Sequence, residues 1–146
     1  MHDHYEEVPA GESMELGTIS VTKEEIKEFA EKFDPQSFHL SDESDGPFGG
    51  IIASGWHTAS MTMRLLVDDY LGTAGAIGSP GLAGLEWSHP VRPGDTLGAR
   101  LTFGKKEPWD KRRGVVHLEV ETENQNGERV LWMDSKVLYP RGETGQ

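Results

Sequence analysis

Two segments of the chain carry apolar residues at helical spacing. The first contains Ile26, Phe29, Ala30 and Phe33. Thr22, followed three residues later by Glu25, has the pattern of a capping box, in which each of the two residues binds the backbone of the other. Pro35 disfavours helical backbone at Asp34. The pattern therefore predicts a helix that begins after Thr22 and ends at Asp34.

The second segment, residues 55–71, predicts the main helix. Its apolar stripe consists of Ala59, Met63, Leu66 and Tyr70. Trp56, Val67 and Leu71 widen this stripe, so the helix keeps little polar surface and we expect the rest of the domain to enclose it. Gly72 and Gly75 follow, and both favour the end of a helix.

Four segments in the second half of the chain alternate between apolar and polar residues, which is typical of antiparallel strands with one buried face. Their inward positions are Leu85 and Trp87; Leu97, Ala99, Leu101 and Phe103; Val116, Leu118 and Val120; and Leu131, Met133, Ser135 and Val137. Residues 14–20 predict a further short strand, and residues 91–95 and 124–127 predict turns. Trp132 lies on the polar face of its strand, which indicates further burial by a second subunit.

This order of elements predicts an α+β domain in which a curved antiparallel β-sheet wraps around a central apolar α-helix. We expect a loosely ordered N-terminal segment at residues 1–13, a single domain at residues 14–140 and a C-terminal tail at residues 141–146. Residues 35–52 predict a long ordered loop that can include a short helical turn. Long loops inside compact domains are often functional.

Composition and charge exclude several classes of function. The 146 residues include 25 acidic and 14 basic side chains, and the resulting net charge of -11 opposes binding to nucleic acid. Cysteine is absent, which excludes disulfides and thiolate chemistry and fits a reducing cytosol. No apolar run is long enough to span a bilayer, and no secretory signal precedes the domain. We therefore expect a cytoplasmic protein, and the scattered histidines predict no metal site.

The strongest chemical signal is an acid and an imidazole five residues apart, Asp34 and His39. In a turn fixed by Pro35, the two side chains could hold one water molecule between them. The imidazole would take a proton from that water, and the carboxyl group would manage a second proton transfer. A purely structural interpretation also fits, with Asp34 capping a helix and His39 packed in the core, and composition alone favours it.

A second signal lies at the start of the main helix. A glycine there, Gly55, leaves backbone N–H groups pointing outward, and the helix dipole adds partial positive charge. Together they could polarise a thioester carbonyl and stabilise an enolate oxygen. The structural alternative is that Gly55 only permits close packing and that Ser54 only caps the helix.

Taken together, the two segments resemble the MaoC-like dehydratase family, which includes the (R)-specific enoyl-CoA hydratases. The hydratase motif of that family is Asp-x-Asn-Pro-x-His, followed by a glycine-rich stretch that leads into the central helix. Asp34 and His39 keep the spacing, and residues 47–55, Pro-Phe-Gly-Gly-Ile-Ile-Ala-Ser-Gly, match the second part. Gln36-Ser37 replaces Asn-Pro, and Ser54 stands where the hydratases often have histidine. The resemblance covers roughly residues 15–140 and implies the hotdog fold.

The resemblance also implies an activity, the reversible hydration of a trans-2-enoyl thioester to a 3-hydroxyacyl thioester. Asp34 and His39 would be the catalytic pair, and Gly55 would supply the N–H of an oxyanion hole. It implies no metal or redox cofactor, coenzyme A or acyl carrier protein as the carrier of the substrate, and a homodimer or dimer of dimers with sheets joined side by side. We expect further substrate contacts from Gln36, Ser54, Trp56, His57, Arg112 and Arg113.

Arg112 and Arg113 belong to the densest basic cluster of an acidic chain. The cluster surrounds a Pro108-Trp109 turn and also contains Lys105, Lys106 and Lys111. It could receive the phosphates of coenzyme A, with Trp109 stacked on the adenine. A solvated hairpin tip is the structural alternative.

Two other functions fit the same predicted fold. An acyl-CoA thioesterase would use an acid near the central helix to activate water for attack on the carbonyl carbon. A non-catalytic acyl-thioester-binding subunit would retain the Asp34–His39 pair as a relic. Release of free thiol separates the thioesterase from the hydratase, because hydration leaves the thioester intact.

Overall fold

The computed structural model describes residues 2–41 and 48–142. Its elements, in chain order, are a 3₁₀ helix (Tyr5–Glu7), β1 (Ser13–Ser20), α1 (Lys23–Phe33), α2 (Ser37–Leu40), α3 (Gly55–Leu66), a π-helical turn (Val67–Leu71), β2 (Gly78–Glu86), β3 (Thr96–Pro108), β4 (Arg113–Glu123) and β5 (Arg129–Pro140). Residues 42–47 of the predicted long loop and residues 143–146 of the predicted tail lie outside the described residues.

The five strands form one antiparallel sheet in the order β1-β3-β4-β5-β2, and α3 packs against it. Every inward position predicted for β3, β4 and β5 is buried, with at most 4% of its surface exposed. The alternation of apolar and polar residues in these strands is therefore confirmed, and with it the α+β architecture of a sheet around a central helix. The core lies between this face of the sheet and α3.

Helix α1 has the predicted boundaries. Thr22 Oγ1 accepts a hydrogen bond from the Glu25 N–H at 3.1 Å, and Glu25 Oε1 accepts one from the Thr22 N–H at 2.8 Å, which confirms the capping box. Asp34 is the C-terminal cap of α1, and its N–H still donates to the carbonyl of Ala30. The helix thus delivers Asp34 to the position where the chain turns into α2.

Helix α3 is less enclosed than its sequence predicts. Its buried side, continued into the π-helical turn, consists of Thr58, Met61, Thr62, Leu65, Leu66 and Tyr70. Three residues assigned to the buried stripe, Trp56, Met63 and Val67, are instead 58%, 41% and 38% exposed. The reason is that two threonines occupy buried positions, and Thr62 forms a hydrogen bond of 2.8 Å with the buried Thr122 hydroxyl. The face of α3 that is buried is therefore rotated around the helix axis relative to the stripe predicted from apolar residues alone.

The N-terminal segment, which we expected to be loosely ordered, is packed onto the sheet. Val8 is buried, and the Gly11 N–H donates to the carbonyl of Phe103 at 2.6 Å. The carbonyl of His2 accepts a hydrogen bond from the Gly75 N–H at 2.9 Å. These hydrogen bonds join backbone groups, so the polar composition of the segment does not reveal them.

Strand β2 differs from its predicted range. It begins at Gly78, where the sequence has no periodic pattern of apolar residues. The pattern is missing because the strand is formed by pairing with β5, while most of its side chains are exposed. It ends at Glu86, so Trp87 follows the strand and is 43% exposed instead of filling an inward position. This places Trp87 in an irregular segment beside the start of α3.

Candidate active site

Asp34 and His39 meet beside the start of α3. His39 Nε2 lies 3.3 Å from Asp34 Oδ2, and only 4% of His39 is exposed. His39 Nδ1 lies 2.7 Å from the carbonyl oxygen of Ile52, so Nδ1 carries a proton and donates it there. In the neutral ring, the lone pair of Nε2 therefore faces the Asp34 carboxyl group. The spacing predicted from the sequence does bring the acid and the imidazole together.

The surroundings of Asp34 favour its ionised form. Gln36 Nε2 donates to Oδ1 at 2.5 Å, and Ser54 Oγ donates to Oδ2 at 2.7 Å. These two hydrogen bonds, the one from Gln36 foremost, lower the pKa of Asp34 in spite of its partial burial. The site therefore presents a carboxylate to His39 over the usual working range of pH.

Gly55 is the first residue of α3, a position whose N–H has no acceptor within its own helix. Ser54 caps the helix, since its Oγ accepts a hydrogen bond of 3.3 Å from the Trp56 N–H. A Cβ atom at position 55 would lie 2.7 Å from Trp87 Cε2, so the packing requires glycine. Ser54 thus caps the helix and Gly55 permits close packing, and both residues also adjoin the Asp34–His39 pair.

A cavity of about 430 Å³ joins these groups. Asp34, His39 and Gly55 line it together with apolar and aromatic side chains, among them Phe38, Phe48, Ile52, Trp56, Trp87 and Val91. A mainly apolar cleft of this size with a few convergent polar groups is typical of a small-molecule site. We therefore identify the cavity as the candidate active site.

His57, expected to contact substrate, lies outside the lining of the cavity. Its ring stacks on Phe29 of α1, with ring centroids 4.7 Å apart and planes within 7° of parallel. Its Nδ1 is buried and has no hydrogen-bond partner among residues 2–41 and 48–142, and burial lowers the pKa of the ring. In this chain His57 packs α1 against α3. Gln36 and Ser54, also expected to bind substrate, contact Asp34 instead of lining the cavity.

The structure does not bring Arg112 and Arg113 to the cavity. Arg112 lies in the turn between β3 and β4, Arg113 begins β4, and Arg113 Nη2 is paired with Asp110 Oδ2 at 2.6 Å. Lys106 of the same cluster lies over the ring of Tyr5, 4.8 Å from its centroid. Two of the basic side chains in this cluster thus already have partners within the chain. A role for Arg112 and Arg113 in substrate binding stays a prediction.

Several residues that line the cavity are not among those expected from the sequence, including Phe38, Phe48, Trp87 and His89. Trp87 lies in a predicted strand, and the sequence pattern assigns no role to His89. One signal was available, because residues 87–90, Trp-Ser-His-Pro, place an aromatic ring, a hydroxyl group and an imidazole in one short non-periodic segment. Only the fold shows that this segment lies beside α3.

Residues 2–41 and 48–142 contain no group of three or more histidine, aspartate or glutamate side chains that could hold a metal ion. No helix in the same part of the chain has the length and apolar character needed to cross a membrane.

Comparison with known proteins supports the predicted family. The family described as MaoC like domain matches residues 7–125. A Bacillus subtilis (strain 168) protein named uncharacterized protein YdeM is 32% identical over 143 residues, which cover 93% of this chain and 98% of the relative.

Solved structures agree with this result. The crystal structure of the MaoC-like dehydratase from Rhodospirillum rubrum is 40% identical, with a TM-score of 0.86 over 94% of this chain and 96% of the other. The X-ray structure of the monoamine oxidase regulatory protein from Archaeoglobus fulgius is 27% identical, with a TM-score of 0.90 over 97% and 96% of the two chains. The hotdog fold implied by the sequence is thereby confirmed. The chain belongs to the MaoC-like domain family.

Proposed function

We propose that this protein catalyses the reversible hydration of an enoyl thioester, from a trans-2-enoyl thioester to a 3-hydroxyacyl thioester. The observation that carries the proposal is the 3.3 Å approach of His39 Nε2 to Asp34 Oδ2 in a cavity that Gly55, at the tip of α3, also lines. The similarity to the Rhodospirillum rubrum protein named a MaoC-like dehydratase supports the same class of reaction.

Hydration would begin with a water molecule in the cavity that contacts both His39 Nε2 and Asp34 Oδ2 from the same side. Nε2 takes one proton from this water as the water oxygen forms a bond to C3 of the substrate. The electron pair of the C2=C3 double bond moves toward the thioester carbonyl, whose oxygen becomes an enolate oxygen. The Asp34 carboxylate stabilises the resulting imidazolium, and its lowered pKa keeps it ionised for that purpose.

The enolate oxygen would accept a hydrogen bond from the Gly55 N–H, and the dipole of α3 adds to the stabilisation. The imidazolium then returns its proton from Nε2 to C2, so the substrate gains H and OH and His39 is neutral again. In this scheme His39 makes both proton transfers, whereas the sequence analysis assigned the second one to the carboxyl group. Two donors already hold Asp34 as a carboxylate, which favours the revised assignment.

Turnover of crotonyl-CoA and of longer enoyl-CoA substrates tests the proposal, with loss of the conjugated double bond followed by absorbance. We expect Asp34→Asn and His39→Ala to lower kcat/KM on the order of 1,000-fold, because each removes one side of the water site. His117→Gln, on the opposite face of the sheet, is the matched control and should keep full activity. Circular dichroism checks that the variants remain folded.

Three outcomes would contradict the proposal. Release of free thiol without hydration would favour an acyl-CoA thioesterase. Tight binding of acyl-CoA without turnover of any chain length would favour a non-catalytic acyl-thioester-binding subunit. Full activity in Asp34→Asn would remove the carboxylate from the mechanism.

The proposal also includes the expected substrate carrier, cellular location and assembly of the protein. Coenzyme A or acyl carrier protein would carry the acyl group, and the proton transfers described above use only groups of the polypeptide chain. A cytoplasmic enzyme that forms a homodimer, or a dimer of dimers, completes the proposed description.

A further inference from the structure

Trp87 contacts the tip of α3 in two ways. Its indole Nε1–H donates a hydrogen bond of 2.8 Å to the carbonyl oxygen of Gly55. The same indole also packs directly against Gly55. A Cβ atom added at position 55 would lie 2.7 to 3.1 Å from Cε2, Nε1 and Cδ2 of Trp87. Trp87 therefore limits both the orientation of the Gly55–Trp56 peptide group and the position of the Gly55 Cα atom.

The sheet anchors Trp87 on both sides. Glu86, the residue before it, pairs with Trp132 of β5, and the N–H of Ser88, the residue after it, donates to the carbonyl of Val130 at 3.2 Å. The Trp56 ring packs edge-on against the indole, with ring centroids 5.3 Å apart and planes at 82°. Trp87 is thus attached to the sheet by its backbone and to the helix tip by its side chain.

On its other side, the helix tip is tied to Asp34. Ser54 Oγ donates to Asp34 Oδ2 at 2.7 Å and accepts from the Trp56 N–H at 3.3 Å. Ser54 links the tip to the carboxylate, and Trp87 links the same tip to the sheet. Gly55 lies between these two attachments, so its place relative to the Asp34–His39 pair depends on both.

We infer that Trp87 is a positioning residue, which holds the Gly55 N–H in the geometry needed to stabilise an enolate oxygen. The inference rests on the proposed function and assigns Trp87 a role in it. The hydrogen bond and the ring contact both act on Gly55, so the expected effect is on the transition state rather than on the binding of the acyl chain.

Trp87→Phe tests the inference because it keeps an aromatic ring and removes the N–H donor. We expect kcat for crotonyl-CoA hydration to fall about tenfold, with KM little changed. A purely packing role would lower the melting temperature without this split between kcat and KM. The second readout does not depend on activity, because it compares the ¹⁵N–¹H resonance of Gly55 between variant and wild type. We expect that resonance to shift.

Trp109→Phe is the matched control. Trp109 lies in the turn between β3 and β4, is 50% exposed and lies apart from the cavity lining. This variant should leave both kcat and the Gly55 resonance unchanged. If the Gly55 resonance is unchanged in Trp87→Phe, the inference about Trp87 is wrong, whether or not the wild-type protein is active. If the wild-type protein is inactive, that result by itself contradicts only the proposed function.

A pair of variants keeps the inference testable if Trp87→Phe fails to fold. Gly55→Ala places a methyl group against the indole, so it should lower kcat and the melting temperature when Trp87 is present. In a Trp87→Leu background the indole is gone, and adding Gly55→Ala should cost much less in both measurements. Equal costs in the two backgrounds would show that Trp87 and the helix tip are not coupled.

Discussion

At the scale of single residues, Ser54 connects the start of α3 to the carboxylate of Asp34. Its side chain is completely buried, donates to Asp34 Oδ2 and accepts from the Trp56 N–H. Gln36 completes the arrangement, since its side-chain amide donates a hydrogen bond to Asp34 Oδ1. Two departures from the hydratase motif therefore both support the ionised form of Asp34.

We predict that Ser54→Ala raises the pKa of Asp34, because the variant removes one donor that stabilises the carboxylate. More Asp34 is then protonated at a given acidic pH, so the acid limb of the kcat/KM profile should move to higher pH. The variant also loses the helix cap, which should lower the free energy of unfolding by about 1 kcal/mol. Urea denaturation and pH–rate profiles measure the two effects.

Ser60→Ala provides the comparison, because the Ser60 hydroxyl donates to the carbonyl of Trp56 on the exposed side of α3. It should leave the acid limb where it is. If Ser54→Ala and Ser60→Ala have the same pH profile as the wild type, Ser54 does not control the protonation of Asp34.

At the scale of secondary-structure elements, His117 connects three strands on the face of the sheet opposite the core. From β4, its Nδ1 lies 2.9 Å from Asp134 Oδ1 of β5, and its Nε2 lies 3.0 Å from Glu107 Oε1 of β3. Partial burial by itself lowers the pKa of His117, but the hydrogen bonds that the ring donates to the Glu107 and Asp134 carboxylates outweigh it, and the pKa is raised. The charged ring thus contributes to strand pairing.

This raised pKa predicts a specific dependence of stability on pH. The contribution of His117 is fully present below the unfolded-state pKa of about 6.5 and is lost as pH rises through the higher folded-state pKa. The difference in unfolding free energy between the wild type and His117→Gln should therefore shrink as pH rises. Urea denaturation across that range measures it, and a constant difference would contradict the prediction.

An NMR titration of the individual histidines separates His117 from His57, whose pKa shifts in the opposite direction. Burial lowers the pKa of His57, so it opposes the effect of His117 on total stability. Glu107→Gln is a useful companion variant, because it removes one of the two carboxylates and should lower the pKa of His117 without removing the ring.

At the scale of the whole molecule, the two edges of the sheet differ. At the β1 edge, the Asp69 side chain accepts a hydrogen bond from the Gly17 N–H, and Glu15 of this strand is paired with Arg100. At the β2 edge, residues 78–85 have no charged side chain, and Leu82 is 45% exposed. An uncharged edge strand readily pairs with another chain. The difference favours β2 as the place where a second copy would join.

We predict that Leu82→Lys weakens the proposed homodimer, because it adds a charge to the edge where two sheets would pair. Analytical ultracentrifugation over a range of concentrations should show a dimer for the wild type and a shift toward monomer for the variant. Thr18→Lys adds the same charge at the β1 edge and should leave the dimer intact. A wild-type protein that is monomeric at all concentrations would exclude this assembly.

The sequence by itself determined the features that depend on neighbouring residues. The capping box of α1, the end of that helix before Pro35 and the alternation within β3, β4 and β5 all follow from interactions over a few positions. The pairing of Asp34 with His39 belongs to the same group, since five residues and one short turn separate the two side chains. Local backbone preferences and side-chain periodicity are sufficient to predict such features.

Tertiary structure alone decided which distant residues share the site and which way each helix faces. Trp87 reaches Gly55 across 32 positions, and the Thr62–Thr122 hydrogen bond buries a polar pair that periodicity would place outside. The fold also keeps Arg112 and Arg113 out of the cavity lining. These outcomes depend on how α3 packs against the sheet. Side-chain shape and hydrogen bonds between distant segments determine that packing, and the periodicity of the sequence does not specify either of them.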